Sequence, residues 1–586
     1  MSEKKFLSGD EAVARGAWEA GCHVAAAYPG TPSTEILEAI SAYKEIYSEW
    51  STNEKVAYEV ALGASMAGAR SLYASKHVGL NVAADPFFSS AYIGSHGGLV
   101  IITADDPSMH SSQNEQDNRY YGIAAKVPVL CPSDSKECRE FTKRAFEISE
   151  RFNVPVIVRL TTRTAHASGV VECEPRNEIP IKGYEKNISK NLILPMFARK
   201  LHASLEERMK ALKEYSETSD INLIEKGKDD VGIISDGVAY TYAKEVWPDA
   251  WFLKLGMMHP LPEKLVREIA SKVHKIYVVE ENDPIIETEV KAFGISCIGK
   301  EVVPRVLELN PDRLQEAFFG NKPSTVDPGE LLNRPPALCP GCTHRPVFHI
   351  LSRMKPIITG DIGCYTLGAL PPLNAMDTCV DMGASITAAH GIRKALDFST
   401  DEKQKNQKVV AVIGDSTFFH SGMTGLANAV YNKAPITIVI MDNRITAMTG
   451  HQQHPGTGKT LKGEETFEAD SADVTRSLGV RKVWVVDPYD YKETKEVLKQ
   501  AMEAQEPAVV ITRRACPLYD RTQWKPYYLV DENTCIGCKM CVGLGCPAIS
   551  FIADRKKSHI NEVLCTGCSI CAQVCPKGAI HASKDN

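Results

Sequence analysis

The chain reads as a multidomain α/β protein in which doubly wound parallel-sheet domains follow one another and end in a small α+β tail. Three observations carry that reading. Apolar runs of strand length repeatedly end in polar or glycine turns and are followed by helical periodicity, the signature of βαβ units. Pro-rich sequence from Lys322 to Pro340 marks a boundary late in the chain. Of the 18 cysteines, those from Cys535 onward fall into two near-copies of one pattern.

With 586 residues the chain has room for roughly three to five domains. Its 44% hydrophobic and 24% charged residues, with a net charge of −6, are those of an ordinary globular protein. No Lys/Arg stripe outweighs its acidic neighbours, so no nucleic-acid partner is expected. No apolar run approaches the roughly 18 residues that span a bilayer, and MSEKKFLSGDEA has no apolar core of signal-peptide length. A cytoplasmic protein with no membrane partner is expected. Clustered cysteines in a large chain of that kind point to metal rather than to disulfides.

Taken in order, residues 1–175 alternate strands and helices. CHVAAAYPGTPSTEI reads as a strand leaving through a Pro/Gly turn into a helix capped by Ser33 or Thr34. EKVAYEVALGASMAGARSLYASKHVG reads as a small-residue helix and then a strand, and GLVIITADD and VPVIVRLTT as buried strands with polar ends. A charged helical linker occupies 176–225. A smaller α/β domain follows at 226–330, with strands at VGIISDG, WFLKLG and KIYVVEEN. A third α/β domain spans 335–520 and the tail spans 529–586.

The third domain contains the segment on which the chemistry turns, VVAVIGDSTFFHSGMTGLANAVYNKAPITIVIMDN, Val409 to Asn443. It reads as a buried strand to Ile413, a tight turn at Gly414-Asp415-Ser416, a helix, and a strand from Ile436 to Met441 ending at Asp442-Asn443. Ligands of parallel sheets collect at the carboxyl ends of strands, and Asp415 and Asn443 are hard oxygen donors suited to Mg²⁺ holding a diphosphate. A capped strand-turn-helix with no ligand has the same sequence, and this stretch alone does not separate the two.

The tail is more specific. Cys535-x2-Cys538-x2-Cys541-x4-Cys546-Pro and Cys565-x2-Cys568-x2-Cys571-x3-Cys575-Pro follow two-cluster ferredoxin spacing, the first with one extra residue. In that pattern three thiolates wrap one cubane and the fourth crosses to the other. Cys535, Cys538, Cys541 and Cys575 then hold one [4Fe–4S] cluster, and Cys565, Cys568, Cys571 and Cys546 hold the second. Structural zinc is the weaker reading, because paired triplets that each end in Cys-Pro are not a zinc-ligand pattern. Two such clusters carry single electrons, so another domain must make or consume them.

YPGTPSTEI, NEKVAYEVALGASMAGARSLYASKHVGLNVAADP, the Gly-Asp-Ser…Asp-Asn segment and the ferredoxin-like tail occur here in one order. Together they resemble the large (alpha) subunits of the indolepyruvate:ferredoxin oxidoreductases, within the thiamine-diphosphate 2-oxoacid:ferredoxin oxidoreductases, over essentially the whole chain. The resemblance implies a pyrimidine-binding domain, a transketolase-C-like domain, a diphosphate-binding domain and a two-cluster ferredoxin domain. It implies thiamine diphosphate and Mg²⁺ as cofactors, with Asp415, Asn443 and the backbone carbonyl of Ile445 on the metal. Gly414, Ser416 and Asp361 then lie beside the diphosphate, Ser416 standing where the family usually has Gly. Glu54 matches the acid that meets the aminopyrimidine nitrogen, a role suited to a carboxyl that moves a proton. Glu59 is a poorer match nearby. Thr31 matches a loop that approaches substrate. Lys76 and His77 are candidates for the substrate carboxylate, and His110, His451 and His454 for the site wall, although each histidine serves equally as an ordinary loop residue.

Relatives of this kind also hold a cofactor-proximal cluster on a CxxC pair, a Gly-Cys and a distant Cys. Cys339, Cys342, Cys364 and Cys516 match that order, and a third [4Fe–4S] cluster and a set of buried structural thiols stand as equal alternatives. The implied reaction is oxidative decarboxylation of an aryl 2-oxoacid, indolepyruvate or a related arylpyruvate, to arylacetyl-CoA and CO₂ with reduction of ferredoxin. Coenzyme A is the co-substrate and a smaller beta subunit completes a hetero-oligomer. A branched-chain or other 2-oxoacid as substrate, a non-oxidative thiamine-diphosphate decarboxylase, and an electron-transfer subunit with a vestigial cofactor site are the alternatives.

Overall fold

A computed structural model describes residues 3–321 and 335–583. Most of the Pro-rich boundary from Lys322 to Pro340 lies outside the described residues. The chain divides into two compact units, Met1–Pro328 and Gly329–Asn586.

The first unit contains β1 (Glu3–Ser8), β2 (Val24–Ala27), β3 (Tyr47–Trp50), β4 (Ser71–Lys76), β5 (Leu99–Asp105), β6 (Val129–Leu130), β7 (Val156–Thr161), β8 (Ser168–Cys173), β9 (Asn222–Glu225), β10 (Val231–Asp236), β11 (Trp251–Leu255), β12 (Met257–His259) and β13 (Lys275–Val279). Its main sheet runs β12-β6-β7-β5-β4-β2-β3, parallel throughout except for β12. The chain passes from β2 to β3 on one side and returns to β4 on the other, so the topological switch lies between β2 and β4. A second sheet, β13-β10-β11-β9, has β9 antiparallel at its edge. β1 and β8 form a separate antiparallel pair.

Two details depart from the sequence reading. β9 lies within the stretch read as a helical linker, and β12 leaves the 226–330 region to pair with β6 in the other sheet. Gly256, the single residue between β11 and β12, makes the exchange possible: a Cβ there would stand 2.2 Å from the Ile221 carbonyl oxygen. The two sheets are also joined through Arg119, which has no exposed surface. Its guanidinium meets Asp117 (2.6 Å), Glu280 (2.7 Å) and Asp236 (3.3 Å).

The second unit contains β14 (Ile357–Gly360), β15 (Thr378–Cys379), β16 (Val409–Gly414), β17 (Thr437–Asp442), β18 (Lys482–Val486), β19 (Ala508–Arg513), β20 (Tyr528–Val530), β21 (Ile549–Ile552), β22 (Lys557–Ile560) and β23 (Ile580–Ala582). β14 to β19 form one parallel sheet ordered β15-β14-β16-β17-β19-β18, with its switch between β14 and β16. Every residue of β16 and β17 is buried, as in a sheet covered on both faces. The period of two divides them between two cores: Val410, Val412, Val439 and Met441 on one face, Val409, Ala411, Ile413, Ile438 and Ile440 on the other. The tail contributes two short antiparallel pairs, β20-β23 and β21-β22, around a core that includes Cys541, Cys571 and Ile570.

Candidate active site and redox centres

In the second unit, Asp361 follows β14 and Asp415 follows β16, so the two acids flank the switch point. No loop follows β16. Gly414 is an extended N-cap and Asp415 opens the helix directly, in place of the tight turn read from the sequence. The segment then passes through a π turn at Phe418–Gly422, a distortion common at functional sites. Gly414 has a packing reason as well: a Cβ would stand 2.6 Å from the Tyr365 ring.

Asp415 is buried. Its Oδ1 accepts from the Ser416 N–H (2.9 Å) and its Oδ2 from the Arg444 N–H (2.7 Å). Burial pushes its carboxyl pKa up, but the His454 ring and these hydrogen bonds outweigh burial and hold it below the ordinary value, so it stays anionic. Asn443 and Ile445 are buried just past β17, the strand beside β16, with the Ile445 N–H 3.2 Å from Asn443 Oδ1. An anionic carboxylate with neutral carbonyl oxygens beside it is a donor set that fits Mg²⁺. Asp442 serves a different purpose. Burial and the neighbouring Asp415 push it up to about 6, and Arg513 Nε holds it at 2.7 Å. Ser416 accepts a hydrogen bond from the Thr446 hydroxyl (2.9 Å), which ties the departure from Gly into the loop after β17. Asp361 spends both oxygens on backbone: the N–H groups of Ile362 (3.0 Å), Gly383 (2.8 Å) and Ser385 (3.1 Å). It therefore fixes the start of the helix Ala384–Asp397.

In the first unit, Glu54 opens the helix Glu54–Met66, whose cap is Asn53 accepting from the Val56 N–H (2.9 Å). Glu54 is 5% exposed and lies beside Gly79, where a Cβ would stand 3.0 Å from its Oε1. Glu59 sits on the outer face of the same helix, ion-paired to Lys55. The loop after β2 and the end of β4 meet at the switch point: Lys76 packs over Gly30 and donates to the Ser111 carbonyl (3.0 Å), and the Ser111 hydroxyl donates to the Thr31 carbonyl (3.1 Å). Burial lowers the Lys76 pKa to about 8 against the pull of Asp106 and Glu54. Ser33 does not cap the next helix; its hydroxyl donates to the Gly30 carbonyl (2.8 Å) and closes the loop on itself.

The histidines separate. His77 has no exposed surface, stands 3.0 Å from the Asn114 carbonyl, and is pushed down to about 4 by burial and by Lys76, so its ring is neutral. His110 pairs with Glu308 (3.2 Å) and His451 stacks on Tyr519 (5.8 Å between ring centres). Of these four, His454 is the one that reaches a candidate ligand, Asp415. Sequence reasoning missed His344, whose Nε2 lies 3.4 Å from the Asn443 amide. Its position two residues after Cys342 was the available signal.

The tail holds two cavities. One is lined by Cys535, Cys538, Cys541 and Cys575, the other by Cys546, Cys565, Cys568 and Cys571. These are the two crossed sets of the ferredoxin spacing. Among the described residues no three thiol sulfurs lie within 4.8 Å of one another. Cys339, Cys342, Cys364 and Cys516 also converge. Burial pushes Cys342 up to about 12 and Cys364 up to about 11, and neighbouring thiols of this set add to both shifts. Cys339 feels Cys516 in the same way. The Cys516 N–H donates to the Asn443 carbonyl (2.9 Å), and Cys342 lines the cavity of Cys546, Cys565, Cys568 and Cys571.

Comparisons with known proteins match three parts of the chain. A family model described as "Pyruvate flavodoxin/ferredoxin oxidoreductase, thiamine diP-bdg" matches residues 15–201, "Thiamine pyrophosphate enzyme, C-terminal TPP binding domain" matches 361–512, and "4Fe-4S dicluster domain" matches 527–576. Fold and site thus define a thiamine-diphosphate-dependent oxidoreductase subunit that carries its own iron–sulfur domain. Indolepyruvate oxidoreductase subunit IorA of Archaeoglobus fulgidus is 43% identical over 100% of this chain and 98% of that protein. The subunit of the same name from Thermococcus kodakarensis is 44% identical over 100% of this chain and 98% of that protein. The chain belongs to the indolepyruvate oxidoreductase subunit IorA family. A more distant relative, 2-oxoglutarate synthase subunit KorA of Archaeoglobus fulgidus, is 29% identical over 52% of this chain and 97% of that protein. Among the described residues no helix is long and apolar enough to cross a membrane.

Proposed function

We propose that this chain is the large subunit of a 2-oxoacid:ferredoxin oxidoreductase that decarboxylates aryl 2-oxoacids, indolepyruvate foremost, to the arylacetyl-CoA and CO₂. The observation that carries the redox reading is the sequence of thiol sets that starts at the metal-ligand strand. The Cys516 N–H donates to the Asn443 carbonyl, its set includes Cys342, and Cys342 borders the tail cavity of Cys546, Cys565, Cys568 and Cys571. A non-oxidative decarboxylase would have no use for such a series. The substrate reading rests on full-length similarity to relatives named for indolepyruvate.

In this reading Asp415, the Asn443 side chain and the Ile445 carbonyl hold Mg²⁺, and Gly414 and Ser416 lie against the diphosphate. Asp361 positions the helix start at Gly383–Ser385. Glu54 meets the aminopyrimidine end and moves the proton there. Bound thiamine diphosphate supplies a carbon nucleophile and the electron sink for decarboxylation. Thr31 and Lys76 border the 2-oxoacid, and the Lys76 cation attracts its carboxylate. Cys339, Cys342, Cys364 and Cys516 hold a third [4Fe–4S] cluster between the cofactor and the two in the tail. The smaller beta subunit completes the enzyme, ferredoxin accepts the electrons, and the site of action is the cytoplasm.

The test is anaerobic co-expression with the beta subunit and reduction of a viologen dye with indolepyruvate, phenylpyruvate, pyruvate and 2-oxoglutarate in turn. Turnover is expected with the aryl acids. Turnover of pyruvate or 2-oxoglutarate alone would overturn the substrate assignment. Iron analysis of the same preparation is expected to give about twelve atoms per large subunit, and about eight would remove the third cluster.

A further inference from the structure

We propose that Asp10, Glu35 and His166 form a binding site for a divalent transition ion of the zinc class, apart from every cofactor discussed above. One ligand atom from each of the three lies within 4.8 Å of the others. They come from three elements of the first unit: Asp10 from the first turn of the helix Gly9–Glu19, Glu35 from the first turn of Thr34–Ser41, and His166 from the end of Thr162–His166.

The cluster of two acids and a histidine is not the whole argument. Asp10 has no exposed surface, yet neither carboxylate oxygen has a hydrogen-bond partner, and Glu35 Oε2, itself shielded from solvent, has no hydrogen-bond donor either. A buried carboxylate without a donor is costly, and natural structures almost always satisfy such a group. Helix capping does not account for it. The helix Gly9–Glu19 is capped by Ser8, which accepts from the Glu11 N–H (3.2 Å), while Glu11 reaches back to the Ser8 N–H (2.8 Å). Asp10 is left over, aimed at the neighbouring acid and the imidazole.

The site is held rigidly on two sides. A Cβ on Gly9 would stand 1.9 Å from the Thr164 carbonyl oxygen, and the Gly9 N–H donates to the Ala167 carbonyl (3.2 Å). The start of the first helix is thus fastened to the segment that carries His166, and only glycine permits the approach. His166 Nε2 lies 3.9 Å from Glu35 Oε2, and both side chains are partly exposed, which leaves an entry path and room for a water as fourth ligand. One imidazole and two carboxylates with an open position are a zinc donor set; the imidazole argues against Mg²⁺ or Ca²⁺. The ion would join three elements, one of which begins just after the Tyr28–Ser33 loop.

The test uses the holoenzyme complex, stripped of loosely held metal with a chelator and titrated anaerobically with Zn²⁺, with zinc counted by mass spectrometry and its environment read at the zinc K-edge. One zinc per large subunit is expected, with a nitrogen/oxygen shell near 2.0–2.1 Å and no sulfur near 2.3 Å. His166→Ala and Glu35→Gln, on the exposed side where folding is least at risk, should each weaken zinc binding by about tenfold or more. A sulfur shell, or zinc binding unchanged in both variants, would overturn the site. So would an absence of zinc binding, and an Asp10→Asn variant more stable than the parent would then show that a proton shared between Asp10 and Glu35 explains the unpartnered oxygens.

Discussion

His454 Nε2 lies 3.2 Å from Asp415 Oδ2, and both side chains are buried, although the pair is not aligned as a hydrogen bond. The contact holds a carboxylate anionic where burial alone would favour its acid, and Mg²⁺ at this position would be held by the carboxylate far better than by its acid. Asp415→Asn should therefore cost about 1.5–3 kcal/mol of thiamine diphosphate affinity in the presence of Mg²⁺, or roughly 10–100-fold in Kd, measured by calorimetric titration. His454→Gln should have a smaller effect in the same direction. An Asp415→Asn protein that binds the cofactor normally would remove Asp415 from the metal.

Glu54 and Glu59 lie on one helix, and only Glu54 is buried. Glu54→Gln should leave cofactor binding within a few-fold of the parent while lowering dye reduction by about 10²–10⁴, the usual scale of a lost proton-transfer group. Glu59→Gln should have almost no effect, since an exposed ion pair contributes little. Equal losses in the two variants would refute the assignment.

Arg345 is a buried cation among thiols. It donates to the carbonyls of Leu338, Cys339 (3.1 Å) and Leu544 (2.8 Å), and it favours the thiolate forms of Cys339, Cys342 and Cys568. Arg345→Met should lower the potentials of the adjacent clusters by on the order of 50–100 mV, as removal of a unit charge at this range implies. Arg345→Lys should restore most of the shift. Redox titration followed by electron paramagnetic resonance reads both, and unchanged potentials would leave Arg345 a purely structural role.

Lys76 carries a pH signature. Its pKa lies near 8, so the cation is present below that pH and is lost as pH rises through it. KM for the 2-oxoacid should climb above pH 8, by about tenfold or more once the charge is gone. Lys76→Met should show the high KM at every pH. The linkage to stability has the opposite sign. Unfolded chains keep this proton to about pH 10.4, so the first unit should gain stability between roughly pH 8 and 10.4. A pH-independent KM in the parent would remove Lys76 from the substrate.

Arg119 compensates three buried carboxylates that link the two sheets of the first unit. Arg119→Met leaves them unpaired and should destabilise by about 3–5 kcal/mol, seen as a lower unfolding midpoint. A midpoint within a degree or two of the parent would show that the carboxylates protonate without cost.

What the sequence by itself determined is what depends on short-range spacing. Two Cys triplets at two-residue spacing, each followed by a Cys-Pro, name two crossed sets of four thiols. The two tail cavities have that composition. Runs such as Val409–Ile413 and Ile436–Met441, short, rich in β-branched residues and bounded by polar turns, read as buried strands, and both are strands of the parallel sheet. The tertiary structure decided what depends on residues distant in sequence. Nothing local relates Cys339 to Cys516, pairs His454 with Asp415, or separates Glu54 from Glu59. These relations arise where strand ends meet at a switch point or where a helix turns one face inward. The exchange of β12 between sheets was equally hidden, because it depends on one glycine passing a backbone carbonyl. So was Asp10, whose sequence context is an ordinary capping box. Only its burial, with both oxygens unpartnered beside Glu35 and His166, marks it out.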